Sequence, residues 1–153
     1  FFYILANSNI NIVSGLAKGI DSYAHIGALS ACGKTVAVVG HGLDSMYPIQ
    51  NKTLFEEIIS KKGTIISEYP LGVKPNKINF PARNRIISGM TKGIIVVEAK
   101  KKSGTLITVD FALEQGREVY VVPGNINSIN SFGTNDLIKQ GAKMVTNYKE
   151  IEI

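Results

Sequence analysis

Hydrophobic residues along this chain occur in short continuous runs that alternate with segments of helical spacing. The runs predict strands at residues 10–15, 34–39, 64–67, 93–98, 119–122 and 143–146. Between them, apolar spacing and glycine stops predict helices at 18–32, 51–62, 79–90, about 105–115 and 134–140, with the end of another helix at 1–6. Continuous rather than alternating apolar strands are typical of a parallel sheet covered on both faces. We therefore expect one α/β domain over residues 1–153, a three-layer sandwich with helices on both faces of a mostly parallel sheet.

The segment 79–90 combines an apolar helical face with cations in an unusual place. Ile86, Ile87 and Met90 recur at helical spacing and predict the buried face. Arg83 and Arg85 fall in the first two turns, where the helix dipole is already positive. Because cations are unfavourable there unless an anion lies between them, the pattern predicts a phosphate site.

Two glycine-containing turns predict further contacts at the carboxyl ends of the strands, where ligands bind in parallel sheets. The first turn, 14–21, contains Ser14, Gly15 and Lys18, but its spacing is not that of a dinucleotide fingerprint. A tight turn without a ligand remains an open alternative for it. The second turn, 102–105, places a lysine, two hydroxyls and a glycine at a helix start. Its alternatives are a simple helix cap and, for the lysines at 100–102, a solvated charge run.

The remaining reactive groups do not form a catalytic or metal-binding set. His25 lies within a predicted helix and is interpreted as structural, whereas His41 lies in a glycine turn and is a candidate lining residue. Cys32 is predicted to be a small buried side chain. Loop aromatics are candidates either for stacking on bases or for anchoring their own loops: Tyr47, Tyr69 and Phe80.

Composition favours an anionic partner without identifying it. The 153 residues carry a formal charge of +5, with 44% hydrophobic and 19% charged residues. No apolar run approaches the roughly 20 residues of a membrane span. The single cysteine fits a reducing compartment, so we expect a cytoplasmic protein. We expect no membrane partner, no cofactor and no metal. The abrupt start at residue 1, without a helix cap, suggests a fragment.

Several ordered motifs resemble the DprA (Smf) family of DNA-processing proteins. They cover nearly the whole chain: SGLAKGID at 14–21, GHGLD at 40–44 with Tyr47-Pro48, SEYP at 67–70, NFPARNRIISG at 79–89, SGTLIT at 103–108, EQGRE at 114–118 and Pro123-Gly124. The resemblance implies a Rossmann-like domain that binds single-stranded DNA without strong sequence preference. It also implies protection of incoming strands during natural transformation, loading of the RecA recombinase, a homodimer and no catalytic activity.

Carried over by position, the resemblance gives Lys18, Arg83 and Arg85 as phosphate contacts. It places Ser103, Gly104 and Thr105 in the same pocket, and we add their neighbours Ser14, Gly15, Asn84 and Lys102 as candidates. Three features depart from the family pattern. The first strand with its glycine-rich turn is absent, the small flanking helical domains are missing, and a lysine stands at 18 where arginine is common. Lysine keeps the charge but loses the bidentate fork.

Two enzyme classes remain as alternatives. A hydrolase of the lysine-decarboxylase-like group, which cleaves the N-glycosidic bond of nucleoside monophosphates, also has a Gly-Thr at a helix start. Such enzymes follow it with acidic residues, whereas here Gly104-Thr105-Leu106 is followed by Ile107-Thr108. A dinucleotide-binding oxidoreductase lacks its glycine fingerprint here. Both are therefore less favoured than a DNA-binding module.

Overall fold

In the computed structural model, which describes residues 1–61 and 63–152, helices and parallel strands alternate as predicted. The helices are α1 Phe2–Asn7, α2 Ile20–Ser30, α3 Lys52–Ser60, α4 Asn79–Gly89, α5 Gly104–Glu114 and α6 Phe132–Lys139. The strands are β1 Ile12–Ser14, β2 Thr35–Val39, β3 Thr64–Ser67, β4 Gly93–Val96, β5 Glu118–Val121 and β6 Lys143–Met144. Short 3-10 turns occur at Ile49–Asn51, Ile129–Ser131 and Tyr148–Glu150. The predicted α/β class is confirmed.

The chain divides into two compact units, Phe1–Arg83 and a second that begins at Asn84. The first contains a parallel sheet of order β1-β2-β3, in which Ile12 pairs with Thr35 and Val36 with Thr64. Central strand β2 is buried along most of its length because helices cover its apolar side chains. The core of this unit consists of Leu16, Leu29, Ala37, Val39, Leu54 and Ile58. One domain over residues 1–153 stays a prediction.

The second unit repeats this arrangement with a parallel sheet of order β4-β5-β6. Gly93 pairs with Glu118, and Tyr120 pairs with Lys143. Its core combines residues of β4, the loop after β4, α5 and β5: Val96, Ala99, Val109, Ala112, Val119 and Val121. Helix α6 begins at Phe132, two residues before its predicted start. No helix in the described part of the chain is long and apolar enough to cross a membrane.

The end of α2 corrects two predictions about residues 32 and 33. The helix ends at Ser30, and Cys32 adopts the left-handed conformation with φ 53°, a role predicted for Gly33. Cys32 is exposed rather than buried, since the turn beyond the helix directs its side chain to solvent. Gly33 serves packing instead, because a Cβ there would lie 2.8 Å from the Cβ of Ala6. Helix α3 ends at Ser60, and Lys62, within the predicted helix 51–62, lies outside the described residues.

Helix α4 buries polar residues more deeply than its isoleucines, so the predicted buried face is found only in part. Arg83 is 5% exposed and Ser88 is fully buried, whereas Ile86 and Ile87 are half-buried and Met90 is exposed. Ser88 tolerates burial because its Oγ lies 2.8 Å from Oε1 of Gln115 and donates a hydrogen bond to it.

A buried histidine joins α2 to strands β1 and β2. His25 is fully buried, and its Nδ1 lies 2.7 Å from Oγ1 of Thr35, whose hydroxyl donates to the carbonyl of Ile12 at 2.9 Å. Since that hydroxyl proton is used, Nδ1–H of the histidine is the donor to Thr35. Burial lowers the pKa of His25 to about 4, with Asp21 raising it and Arg83 lowering it further. Its burial and these hydrogen bonds support the interpretation of His25 as a structural residue.

Protonation of His25 should therefore destabilise the fold in mild acid. The unfolded histidine titrates near pH 6.5, so this contribution to stability is fully present above that pH and is lost as pH falls towards about 4. Between pH 7.5 and 4.5 we expect His25 to account for a loss of about 2 kcal/mol in the free energy of unfolding. Urea denaturation at both pH values measures it. His25→Asn, which keeps a donor for Thr35, should lose correspondingly less stability; an equal loss in both proteins would contradict the assignment.

Candidate nucleic-acid interface

A cavity of about 350 Å³ lies in the first unit, where strands β1 and β2 end. Its walls come from the turn after β1, the turn after β2 and the start of α4. They are Gly15, Ala17, Lys18, Val39, Gly40, His41, Tyr47, Pro48, Phe80 and Arg83. Lys18 and Arg83 are cationic, and none of the described residues lining the cavity is acidic. This is the strand end at which parallel sheets bind ligands.

Arg83 forms the floor of this cavity and is held by backbone carbonyls. Its Nη1 donates to the carbonyl of Gly15 at 2.8 Å and to the carbonyl of Val38. A Cβ on Gly15 would lie only 2.7 Å from Nη2 and 2.8 Å from Cζ of the arginine. Glycine is therefore needed at position 15 to admit the guanidinium, a role beyond the predicted tight turn or ligand approach.

The charge of Arg83 is buried, which makes these carbonyls important. Burial lowers the pKa of its guanidinium, while Asp21 and Tyr69 raise it. Charge-assisted hydrogen bonds to carbonyls are the kind of partner that makes such burial tolerable. Arg83 thus ties the end of β1 and the end of β2 to helix α4.

Asp21 fixes the backbone of the turn that follows β1. Its Oδ2 accepts hydrogen bonds from the N–H groups of Gly15 at 3.1 Å and Ala17 at 3.2 Å. A carboxylate in the first turn of a helix also complements the helix dipole. These two N–H groups, which an anion-binding turn would offer to a ligand, are therefore occupied.

The carbonyls of the same turn are held by two further side chains. Asn51 Nδ2 donates to the carbonyl of Leu16 at 2.8 Å, and Ser22 Oγ donates to that of Ala17 at 2.7 Å. Leu16 itself is 1% exposed and has a φ of 57°, so the turn is pinned by an apolar anchor as well. Lys18 remains exposed. The turn therefore presents a lysine on a rigid backbone.

An aromatic wall completes one side of the cavity. The rings of Tyr47 and Phe80 are stacked, with centroids 5.4 Å apart and an angle of 27° between planes. Arg83 Cζ lies 5.9 Å from the centroid of Phe80. Phe80 therefore anchors the wall, whereas Tyr47 is 49% exposed and Tyr69 does not line the cavity.

His41 lies at the back of the cavity on a turn held by its neighbours. It is 1% exposed and lines the cavity as predicted. Ser67 Oγ donates to the carbonyl of His41 at 2.7 Å, and the Gly42 N–H donates to the carbonyl of Val73 at 2.9 Å. The long loop after β3 thus supports this turn.

The second unit gathers the other predicted residues around the start of α5. Ser103 caps the helix, accepting from the Thr105 N–H at 3.2 Å and donating to the Thr105 hydroxyl at 3.0 Å. Ser103 is therefore a helix cap, a role that is compatible with the predicted phosphate contact. Asn84 Nδ2 donates to the carbonyl of Gly104 at 3.4 Å. Arg85 and Lys102 are exposed in this unit.

The structure thus brings Gly15, Lys18 and Arg83 together at one cavity, and Asn84 together with residues 103–105 at a helix start. Ser14 ends β1, is half-buried and does not line the cavity. Sequence reasoning missed Asp21, whose signal was a carboxylate in the first turn of a helix. Among the described residues, no group of three or more histidine, cysteine or acidic side chains could hold a metal ion.

The fold is Rossmann-like, and comparison with known proteins identifies the family. The family model described as DNA recombination-mediator protein A matches residues 1–152. This chain belongs to that family. It is 48% identical to Protein Smf of Escherichia coli K12 over 151 residues, 99% of this chain and 40% of that protein. It is 51% identical to DNA processing protein DprA of Streptococcus pneumoniae R6 over 140 residues, 92% of this chain and 49% of that protein.

Solved structures show the same similarity. The X-ray structure of the Streptococcus pneumoniae DprA matches with a TM-score of 0.89 and 49% identity, covering 97% of this chain and 52% of that one. DNA processing protein A from Helicobacter pylori, described for its single-stranded DNA binding mode, matches with a TM-score of 0.87 and 32% identity. That match covers 97% of this chain and 66% of the other. The chain thus spans about half the length of the relatives it matches.

Coupling between Gly15 and Arg83 is testable by a double-mutant cycle. Arg83→Ala should cost about 2 kcal/mol or more, because it removes charge-assisted bonds to two carbonyls. Gly15→Ala should cost about 1–3 kcal/mol in the wild type but at least about 1 kcal/mol less beside Arg83→Ala, where the clash is gone. Urea denaturation measures each free energy of unfolding.

Gly104→Ala is the matched control, because a Cβ there meets nothing within 4 Å. It should change stability by no more than about 0.5 kcal/mol. An equal cost of Gly15→Ala in both backgrounds would show that the arginine does not require the glycine.

Proposed function

We propose that this protein binds single-stranded DNA, without strong sequence preference, at the cavity beyond β1 and β2. The observation that carries the proposal is the composition of its wall: an exposed lysine, a buried arginine and a stacked aromatic pair, with no acidic residue among the described lining residues. Membership of the family and similarity to the Helicobacter pylori protein support it.

Charge explains why the partner is a phosphate chain. Lys18 is exposed on a turn whose backbone is already hydrogen-bonded, and Arg83 contributes a fixed positive charge beneath it. Because the backbone beneath Lys18 is already fixed, only its side chain loses freedom when it meets a phosphate, and contacts to phosphates carry no sequence information. Affinity should therefore vary little with sequence and fall with salt.

The aromatic wall supplies a surface for the bases of an unpaired strand. Tyr47 is exposed and stacked on Phe80, which is itself in contact with Arg83. Every base has a flat face, so stacking on aromatic rings tolerates any sequence. In a duplex the bases are already stacked on each other, which favours single strands at this surface.

The start of α5 is proposed as a second set of phosphate contacts. The exposed side chains of Arg85 and Lys102 supply charge, and Asn84, Ser103, Gly104 and Thr105 form the polar turn beside the helix start. Because Ser103 already donates its hydroxyl proton to Thr105, the cations carry most of this proposal.

Family membership supports a wider role in DNA processing during natural transformation and recombination, with a homodimer that helps to load the RecA recombinase. No catalytic step is proposed. The hydrolase alternative requires acidic residues at the site, and the described lining residues include none. Capture of RecA by the immobilised protein tests the recombinase as a partner. The mass of the protein in analytical ultracentrifugation tests the homodimer. A monomer that captures no RecA would remove both from the proposal, and robust base release from nucleoside monophosphates would contradict the assignment of no catalysis.

Removing the charge of Lys18 should weaken DNA binding of every sequence. For Lys18→Gln we expect about fivefold lower affinity for a fluorescent oligo-dT, and a salt slope smaller by about 0.7, the value of one single-strand phosphate contact. Fluorescence anisotropy across a salt series measures both. Urea denaturation should show unchanged stability, since Lys18 is exposed.

Lys34→Gln is the matched control for this change. Lys34 is exposed, carries the same charge and immediately precedes β2, at the amino end of the same sheet. It should retain both affinity and salt slope. If the two variants lost affinity alike, only the overall charge would matter and the cavity would not be the site.

A further inference from the structure

Three hydrophobic side chains are exposed in the segment that follows β5 in the second unit. They are Ile126, Ile129 and Phe132, which lie close together in the chain. Single exposed hydrophobic residues are ordinary on a protein surface, whereas a group of them marks a surface that contacts another molecule. Neither the core of this unit nor the proposed function uses the group.

Hydrogen bonds hold the segment that displays these side chains. Asn135 on α6 pairs with both backbone groups of Gly124: its Oδ1 accepts from the N–H at 3.1 Å, and its Nδ2 donates to the carbonyl at 3.0 Å. The side chain of Asn125 accepts from the Asn127 N–H at 2.8 Å, and its carbonyl accepts from the Ser128 N–H at 2.9 Å. A surface that is ordered in advance loses less entropy when it binds. Binding here therefore requires little ordering of the backbone.

A run of lysines lies beside this segment. The Ala99 N–H donates to the carbonyl of Asn130 at 2.8 Å, and the Gly133 N–H donates to the carbonyl of Ala99 at 2.7 Å. A Cβ on Gly133 would lie 2.9 Å from the carbonyl oxygen of Lys100, so the two segments are in direct contact. Lys100 and Lys101 are exposed. Exposed cations therefore adjoin the exposed hydrophobic side chains.

The carboxylates beside these lysines are already hydrogen-bonded. Glu98 Oε2 accepts from Nδ2 of Asn130 at 3.4 Å. On α6, Asp136 Oδ2 accepts from Nε2 of Gln140 at 3.0 Å. The three consecutive lysines at 100–102 therefore leave the surface positively charged. We call it the basic–apolar surface, formed by Lys100, Lys101, Lys102, Ile126, Ile129 and Phe132.

We propose that the basic–apolar surface binds a peptide segment of a partner protein in which acidic residues alternate with hydrophobic ones. The lysines attract the carboxylates of such a segment, because opposite charges face each other in specific complexes. Ile129 and Phe132, which flank the backbone contacts with residues 99–100, receive its hydrophobic side chains. The proposal goes beyond the proposed function, since it concerns a second ligand.

Two other anionic partners fit this surface less well. Bases stack on flat aromatic rings, whereas two of the three exposed hydrophobic side chains are isoleucines, which offer no flat face. A membrane would have to dehydrate the polar side chains of Asn125, Asn127 and Ser128, which lie beside and between the isoleucines. A peptide brings hydrogen-bonding groups of its own to them.

Three short fluorescent peptides test the proposal. In the first, aspartate alternates with leucine and phenylalanine. The second has serine in place of the hydrophobic residues, and the third has asparagine in place of aspartate. In fluorescence anisotropy, the wild type should bind the first peptide at least about fivefold more tightly than either of the others. Absence of that preference would overturn the inference.

Ile129→Ser should bind the first peptide about fivefold less tightly, because it removes a hydrophobic contact. It should keep the affinity of the wild type for oligo-dT. Ile59→Ser is the matched control, because Ile59 on α3 is 56% exposed and Ile129 is 61% exposed. Equal loss of peptide affinity in the two variants would overturn the inference. So would a loss by Ile129→Ser of binding to oligo-dT or phosphatidylglycerol vesicles instead of peptide, since the occupant would then be nucleic acid or lipid.

Lys100→Gln/Lys101→Gln should also bind the first peptide about fivefold less tightly, and its remaining affinity should depend less on salt. Lys34→Gln/Lys92→Gln is the matched control, because it removes the same charge from exposed lysines that precede β2 and β4. The control should keep the affinity of the wild type. A control that lost as much would show that only the overall charge matters, which would contradict the proposed surface.

Amide chemical shifts of the wild type locate the peptide without any substitution. Titration of the first peptide into isotope-labelled protein should move the resonances of residues 100–102 and 126–132. Shifts confined to other residues would overturn the inference. Each of these outcomes leaves the proposed function standing, since that function is judged on oligo-dT. A wild type that bound the peptide but no oligo-dT would remove the proposed function and keep this inference.

Discussion

The burial of one guanidinium beneath two backbone carbonyls organises the first unit of this protein. Arg83 reaches from α4 to Gly15 at the end of β1 and to Val38 near the end of β2. The approach is possible only because residue 15 has no side chain. A charge this deeply buried is costly unless fully hydrogen-bonded, so the turn after β1, the end of β2 and the start of α4 must be correctly placed together. The cavity is the space that remains above this contact.

The division of roles at the cavity follows from that constraint. Asp21, Ser22 and Asn51 form hydrogen bonds with the backbone of the turn, so in the proposed function the side chains of the turn, rather than its backbone, contact the ligand. Lys18 is exposed at the rim, and the stacked pair of Tyr47 and Phe80 forms the wall. Arg83 therefore stabilises the structure first and adds its charge to the cavity second. The proposed function is the holding of a phosphate chain, and none of the described lining residues is an aspartate or a glutamate.

The sequence predicted the α/β class and the parallel strands, and it singled out Lys18 and Arg83, which line the cavity, because these features depend on local periodicity and on helix polarity. Strand β3 lies at its predicted residues. Burial on α4 was not predictable from hydrophobicity: Ile86 and Ile87 are half-buried, while Arg83 and Ser88 are buried by partners distant in the chain. The hydrogen bond from Asn51 to the carbonyl of Leu16 was not predictable from any local sequence pattern, because the two residues lie 35 positions apart in the chain. The binding roles assigned to the ten candidate residues stay predictions.

A crystal structure of the protein with a short oligo-dT tests the central claim most directly. The account predicts a phosphate oxygen within hydrogen-bonding distance of Lys18 Nζ, above a guanidinium of Arg83 that still donates to the carbonyls of Gly15 and Val38. DNA bound elsewhere would contradict the account, and so would an arginine that had left both carbonyls to bind phosphate.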